Sequence, residues 1–425
     1  MRIGFDVSQT GGGKAGCGMM SYHLIRTLAK LDRDNEYLLY PAFGDLFWER
    51  KRGSIKAPAG DNFRLALRFR SFESSRRFWT KPPVDFEERL GHPDIVQANN
   101  FFCPVGLKKA RLVYFLHDIA FLEDPNFSTC ENRTGCFKGV YEAALRADMI
   151  VANSGFTREH FLRTFPHYPA ARVKVMHLAS RFAGAVTGAR PNAETGARTS
   201  TGQGELPDER PDMLQDARST VRSVVRPDPR PKGLAVPEPG KFFLCVGTIE
   251  PRKNHLRLFE AYARFCAASG ADIPLVLAGG KGWLMDDAAE AAKRLNIGDR
   301  LILTGYLEDE ALVWLYRNCL AFVYPSLFEG FGLPVVEALS LGAPVVTSNA
   351  SSLPEVTGGA ALLVDPLDPA ALAKALLRLW REPALRRDLS ERALARAAFF
   401  SWEKAARTIM DCYREVAGLP KFAGG

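Results

Sequence analysis

Two carboxylates bracket a glycine-containing loop in Phe328-Glu-Gly-Phe-Gly-Leu-Pro-Val-Val-Glu337, and the strongest chemical signal of the chain lies there. Glu329 and Glu337 stand eight positions apart. Gly330 and Gly332, on either side of Phe331, let backbone come close to a ligand. A helix should follow Leu333, opened by Pro334 and stopped by Gly342, with Glu337 in its first turn. Such a helix start presents unpaired N–H groups and a positive dipole end, a natural seat for phosphate. A carboxylate accepts paired hydroxyl hydrogens, so one at each end suits a ligand with sugar hydroxyls on both sides of a phosphate. The plainer reading makes Glu329 a solvated loop residue and leaves Glu337 only favouring the dipole.

Three other stretches carry residue types suited to chemistry. In Thr248-Ile-Glu-Pro-Arg252-Lys253-Asn254, two adjacent cations follow an apolar strand and enter a helix. Arginine offers a fork and lysine a point charge, a pairing that suits a diphosphate; a solvated basic turn is the bland alternative. His117-Asp118 follows the strand Leu112–Leu116. A histidine there faces a cleft or is a satisfied core residue. Gly11, Gly13 and Gly16 satisfy G-x-G-x-x-G between a strand and a helix, the dinucleotide pattern. No acid clearly ends the second strand, so a mobile loop at a cleft mouth reads equally well. Asp32-Arg-Asp34 has the shape of a metal-binding pair but lies in a helix-to-strand turn, where aspartate is structural.

The elements that must position these residues alternate. Strands are expected at Ile3–Val7, Tyr37–Tyr40, Asp94–Gln97, Leu112–Leu116 and Met149–Asn153, with a helix at Met19–Leu31. The rhythm restarts with strands at Phe242–Val246, Leu275–Ala278, Leu301–Leu303, Ala321–Tyr324 and Pro344–Thr347. Helices are expected at His255–Ser269, from Asp309, over 369–383 and 387–398, and from Trp402 to Val416. This is α/β, with two doubly wound parallel sheets. Ligands in such folds sit at the carboxyl ends of the strands.

Two segments depart from the rhythm. Residues 50–81 hold ten basic residues against two acids, a surplus equal to the +8 of the whole chain. They are Arg50, Lys51, Arg52, Lys56, Arg64, Arg68, Arg70, Arg76, Arg77 and Lys81, interleaved with Phe63, Phe72, Phe78 and Trp79. The patch reads as a contact for anionic membrane or as a solvated face with its own apolar packing side. No nucleic-acid module surrounds it, which argues against nucleic acid. Residues 183–240 hold eight prolines, no aromatic residue and balanced charge, a composition expected to be disordered. The eight cysteines form no C-x-x-C pair, which fits a reduced, cytoplasmic setting. No uncharged apolar run reaches about 18 residues, so no transmembrane helix is expected.

Taken in order, the motifs resemble the glycosyltransferases of the GT-B fold, family 4. Glu329 and Glu337 match that family's pair of glutamates, Arg252 and Lys253 its diphosphate-holding pair, and His117 its cleft histidine. Asn153-Ser154, Gly16-Cys-Gly18 and Ser352-Leu-Pro-Glu355 match further motifs, covering nearly the whole chain except 50–81 and 183–240.

The resemblance implies two Rossmann-like domains facing across a cleft. Residues 1–182 would form the acceptor domain, 183–240 an insertion, 241–400 the donor domain and 401–425 a last helix and tail. It also implies retaining transfer from a nucleotide sugar without metal or other cofactor. His117, Glu329, Arg252 and Lys253 would be catalytic. Gly16, Gly18, Gly330, Phe331, Gly332, Leu333 and Glu337 would hold the donor. The motifs are most similar to the mannosyltransferase-like branch, implying GDP-mannose, with UDP-sugars open. The acceptor would be a glycan or lipid-linked glycan at the inner face of the cytoplasmic membrane.

Ser154-Gly-Phe stands where the family usually has Ser-Glu-Phe, which puts one polar contact in doubt. Met176-His-Leu-Ala stands where the family often has Asn-Gly or Leu-Gly. A nucleotide-sugar isomerase or hydrolase of the same fold would act without an acceptor. A dehydrogenase built on the first glycine loop would bind NAD and leave the second half unexplained. A non-catalytic scaffold would not need Glu329, Glu337, Arg252, Lys253 and His117 together.

Overall fold

The computed structural model describes residues 1–12, 16–45, 55–67, 71–183, 230–231, 233–280 and 285–422. Strands β1 (Arg2–Asp6), β2 (Glu36–Tyr40), β3 (Phe63–Leu65), β4 (Ile95–Ala98), β5 (Arg111–Leu116), β6 (Met149–Ala152) and β7 (Val173–Val175) form one sheet, in the order β3-β2-β1-β4-β5-β6-β7. Strands β8 (Phe243–Val246), β9 (Leu275–Ala278), β10 (Leu301–Gly305), β11 (Ala321–Tyr324), β12 (Val345–Ser348) and β13 (Ala361–Val364) form the second, ordered β10-β9-β8-β11-β12-β13. Every pairing is parallel. Helices cover both faces of such sheets, so the central strands are buried throughout: β4, β6, β8, β9, β11 and β12 expose no residue.

Each sheet reverses its strand order once, between β1 and β4 and between β8 and β11. Loops leaving strands on the two sides of a reversal diverge and open a crevice at the carboxyl ends. His117 follows β5, the cations follow β8, and Glu329 follows β11.

The element types agree with the sequence reading, and the boundaries move. The first helix runs Gly16–Leu31, so Gly16 and Gly18 belong to its first turn rather than to a loop before it. Neither has a positive φ, and a helical backbone is open to any residue. The edge strands β3, β7 and β13 were not expected: β3 and β7 are only three residues long with a charged residue in the middle, and β13 is an isolated apolar strand of four. Asp32 behaves as a turn residue: its carboxylate accepts from the N–H of Asp34 and Asn35 at 3.1 and 3.2 Å and from Tyr37 Oη at 2.6 Å.

Within the basic stretch, Lys56, Arg64, Arg76, Arg77 and Lys81 are described and exposed. Arg50, Lys51, Arg52, Arg68 and Arg70 lie outside the described residues, as do 184–229 and 232 of the expected disordered segment. Phe63, Phe78 and Trp79 do not share a surface with the charges, being buried; the Phe72 side chain lies outside the described residues. Phe63 stacks on Tyr37 at 4.4 Å, and Trp79 is fully buried, donating to Ala42 O at 2.8 Å. Indole and phenyl rings this size contribute most when removed from water.

The last helix, Trp402–Gly418, returns to the first sheet. Its Tyr413 hydroxyl donates to Gln97 Oε1 at the end of β4. Arg111 Nη2 donates to Leu419 O at 2.6 Å, and Phe422 N donates to Asp148 Oδ1 at 2.7 Å. Among the described residues no helix is long and apolar enough to cross a membrane.

Candidate active site

Glu329 is the centre of a buried charge cluster. It leaves β11 through Tyr324-Pro-Ser, and it is 5% exposed. Lys253 Nζ donates to its Oε1 at 2.6 Å and Arg252 Nη1 to its Oε2 at 3.0 Å. The Tyr324 and Ser326 hydroxyls add bonds of 2.9 and 2.7 Å to Oε1. Burial pushes the Glu329 carboxyl up, but the Arg252 and Lys253 charges outweigh it and hold it at about 2. Arg252 also reaches Glu250 Oε1 at 2.9 Å and Phe328 O at 3.1 Å. Burial pulls the guanidinium down, yet Glu329, Asp118 and Glu250 together raise it above its ordinary value.

The cations owe their position to Asn254, the residue after them. Its backbone is left-handed, φ 62°, a region asparagine tolerates. Its amide donates to Pro325 O at 3.0 Å and Pro366 O at 2.7 Å, tying the turn after β8 to the loop after β11.

The glycine loop follows. Gly332 caps the helix Leu333–Ser340 with φ 88°, and a Cβ there would lie 2.7 Å from Leu353 Cδ2. Among the described residues the N–H groups of Phe331, Gly332 and Leu333 have no hydrogen-bond partner. They are the orphan donors that a helix start offers an anion. The Phe331 ring itself is buried against Phe400, centroids 5.6 Å apart, so this residue presents backbone only.

Glu337 is not in the first turn as expected. It is the fifth residue of Leu333–Ser340, 7% exposed, facing the helix Asp309–Asn318. Arg181 Nε lies 2.9 Å from its Oε1, and the Tyr316 hydroxyl donates to Oε2 at 3.1 Å. Burial is the larger influence and raises the Glu337 carboxyl above its usual range despite Arg181.

His117 abuts the glycine loop from the first sheet through its backbone carbonyl, next to Gly330. Its Nε2 lies 2.8 Å from Asn99 O; a carbonyl only accepts, so Nε2 carries the hydrogen and Nδ1 is left as an acceptor. Burial lowers its pKa, so the ring is neutral near pH 7. The two halves meet without a gap here. A Cβ on Gly330 would come within 2.0 Å of His117 O, so only glycine fits. Gly330 O accepts from Ser154 Oγ at 2.6 Å and Thr157 Oγ1 at 3.0 Å. Asn153 donates to His117 O at 2.6 Å, and its own Oδ1 is buried without a hydrogen-bond partner among the described residues.

At Ser154-Gly155 the helix start is met by a carboxylate from the other half of the chain. Glu355 accepts from the N–H of Gly155 at 2.8 Å and of Phe156 at 3.0 Å, while His177 Nε2 lies 2.7 Å from it. A side chain at 155 would press on this carboxylate, with its Cβ 3.3 Å from Glu355 Oε2.

The structure thus brings Glu329, Arg252, Lys253, Gly330 and His117 together. Glu337 sits at the far end of the same loop. Gly16 and Gly18 stand at the start of the first helix, after 13–15, which lie outside the described residues. Glu250, Tyr324 and Ser326 were not singled out, although Glu250 lies inside the quoted Thr248–Asn254 run and Tyr324 and Ser326 stand just before the quoted Phe328–Glu337 run. Arg181 and Tyr316 carry no local signal, because neither belongs to a motif and they meet Glu337 only in the folded chain.

Two Rossmann-like parallel sheets meeting at a buried charge cluster are the architecture of the GT-B glycosyltransferase fold. Residues 228–396 match the family model of glycosyl transferases group 1, and residues 15–179 match that of glycosyltransferase family 4. The O-antigen chain mannosyltransferase B of Escherichia coli is 30% identical over 353 residues, covering 81% of this chain and 79% of that one. The serotype-specific mannosyltransferase WbdA of the same species is 38% identical over 178 residues, 41% of this chain and 22% of its own length. The fold is similar to sucrose-phosphate synthase from Thermosynechococcus elongatus, with a TM-score of 0.63, 20% identity, and 98% and 99% of the two chains covered. The chain belongs to the family 4 glycosyltransferases.

Proposed function

We propose that the chain moves mannose from GDP-mannose to a hydroxyl of a growing or lipid-linked glycan, with retention of configuration and without metal. The observation that carries this reading is the cluster of Arg252, Lys253 and Glu329 beside the unpaired amides of Phe331 to Leu333, opposite His117. The 30% identity to an O-antigen chain mannosyltransferase supports the sugar and the glycan class of acceptor.

Cleaving the sugar–phosphate bond leaves negative charge on the diphosphate and positive character on the sugar ring. Arg252, Lys253 and the loop amides would stabilise the leaving group in a site already largely buried and preorganised. A donor diphosphate competes with Glu329 for both cations, freeing its carboxylate to accept from sugar hydroxyls. Glu337 would take the ribose diol. His117 Nδ1 would accept from a hydroxyl of the sugar. The acceptor oxygen forms its bond to the anomeric carbon on the face the phosphate leaves, and its proton passes to the departing phosphate. The exposed cations of 56–81 would bring the first sheet to anionic headgroups, as a peripheral contact.

The test is transfer from GDP-mannose, UDP-glucose and UDP-galactose to a mannosylated acceptor in chelator, with the anomeric proton of the product read by nuclear magnetic resonance. Transfer of mannose alone with an α linkage is expected. Transfer only from a UDP-sugar overturns the donor, an inverted product overturns retention, and free sugar with acceptor present overturns transferase in favour of hydrolase.

A further inference from the structure

Glu337 is a poor place for a charge. Its side chain is 9% exposed, and burial drives its carboxyl toward the neutral form. The groups facing it come from two elements. Tyr316 belongs to the helix Asp309–Asn318, Asp309 begins that helix, and Arg181 lies beyond β7, on the far side of the cleft. Arg181 is the only cation among them. Its Nη1 donates to Asp309 Oδ1 at 2.9 Å, and its guanidinium lies over the Phe182 ring, 4.7 Å from the centroid. A bond of 2.7 Å from Ser340 Oγ to Ser180 Oγ pins the neighbouring backbone to the glutamate's own helix. The Arg181 Nε–H makes no aligned hydrogen bond, so what it brings to the carboxylate is charge.

We propose that Arg181 is a positioning residue for the donor nucleotide, holding Glu337 ionised and aimed so that the carboxylate can take the ribose diol across the neutral pH range. The proposal rests on the reading of Glu337 as the ribose ligand. An ionised carboxylate only accepts, with about four lone-pair sites on its two oxygens. Tyr316 uses one on Oε2 and Arg181 lies against Oε1, which leaves sites on both oxygens for the two ribose hydroxyls. A protonated carboxyl would present its own hydrogen to one of those hydroxyls. Without an opposing cation, a buried glutamate takes up its proton at a pH closer to neutral. Phosphate chemistry at the other end of the loop is untouched by this, since Arg252 and Lys253 serve Glu329.

The experiment is calorimetric titration with GDP, UDP and ADP from pH 6 to pH 8.5, using the full chain and its Arg181→Met, Arg181→Lys and Glu337→Gln variants. The unmodified protein gives the reference affinity at each pH and removes the nucleotide's own titration. The affinity deficit of Arg181→Met is expected to grow about tenfold or more between pH 8.5 and pH 6, the size of a one-unit difference in protonation. Arg181→Lys restores a flat deficit. Arg181→Gln carries the same expectation as methionine should that variant not fold. A deficit constant with pH, or one not relieved at pH 8.5, means that Arg181 only packs, and overturns the inference. Unmodified affinity in Glu337→Gln overturns the ribose reading itself, and binding of none of the three nucleotides overturns both.

Discussion

At the scale of single residues, the site works by competition for a few charges. Glu329 holds Arg252 and Lys253 in place at distances of 3.0 and 2.6 Å. A buried carboxylate paired in this way leaves two cations aimed at one point; under the proposed function a donor diphosphate would find them already removed from water. Lys253 also contacts the Tyr324 hydroxyl, so it is held from two sides. Lys253→Ala is therefore expected to lower kcat by about 10²–10³-fold, the effect of losing one preorganised donor. Steady-state turnover beside a thermal melt checks it: unchanged turnover in a folded variant would remove Lys253 from the mechanism. Most of this cluster could be read in the sequence, because Arg252, Lys253 and Glu329 sit in runs whose residue types are unusual at strand ends. The state of the cluster could not. Nothing local says that the cations pair with Glu329 rather than with solvent.

At the scale of elements, the cleft is assembled from turns that grip one another. Glu355 acts as a cap supplied in trans, accepting the first two N–H groups of the helix Gly155–Thr164, while Ser154 accepts from Thr157 N at 3.0 Å. Helix caps contribute about 1 kcal/mol each. Glu355→Ala is expected to cost at least that in a denaturant titration, and to weaken donor turnover as well, since the same helix start carries Ser154 and Thr157 to Gly330. A cost without any change in turnover would make Glu355 a cap and nothing more. The Ser-Leu-Pro-Glu run was legible as a motif; its partner was not. That Glu355 would cap this helix was not legible, because it lies 200 positions further along the chain from Gly155. The reading of Glu337 in a first turn failed for a simpler reason: proline is allowed at the second helical position as well as the first, and here it stands second.

At the scale of the whole molecule, the chain crosses between the sheets more than once. After the second sheet it returns through Trp402–Gly418 to the first, where Trp402 Nε1 donates to Ser180 O at 3.1 Å and Tyr413 closes on Gln97. The first helix, Gly16–Leu31, packs beneath it. Removal of residues 402–425 strips this apolar cover from the first half. Differential scanning calorimetry of that truncation is expected to show loss of the low-temperature transition or insoluble protein; two undisturbed transitions would mean that the last helix is dispensable. Sequence alone determined the β/α alternation, the two parallel sheets and the strand ends that bear the reactive side chains. These follow from residues adjacent in the chain, where periodicity and turn chemistry act locally. Tertiary structure alone decided that Arg181 faces Glu337, that Glu355 caps Gly155, and that Gly330 lies against His117. Each of those contacts joins residues from opposite sides of the cleft, and its strength depends on burial and distance that no stretch of sequence contains.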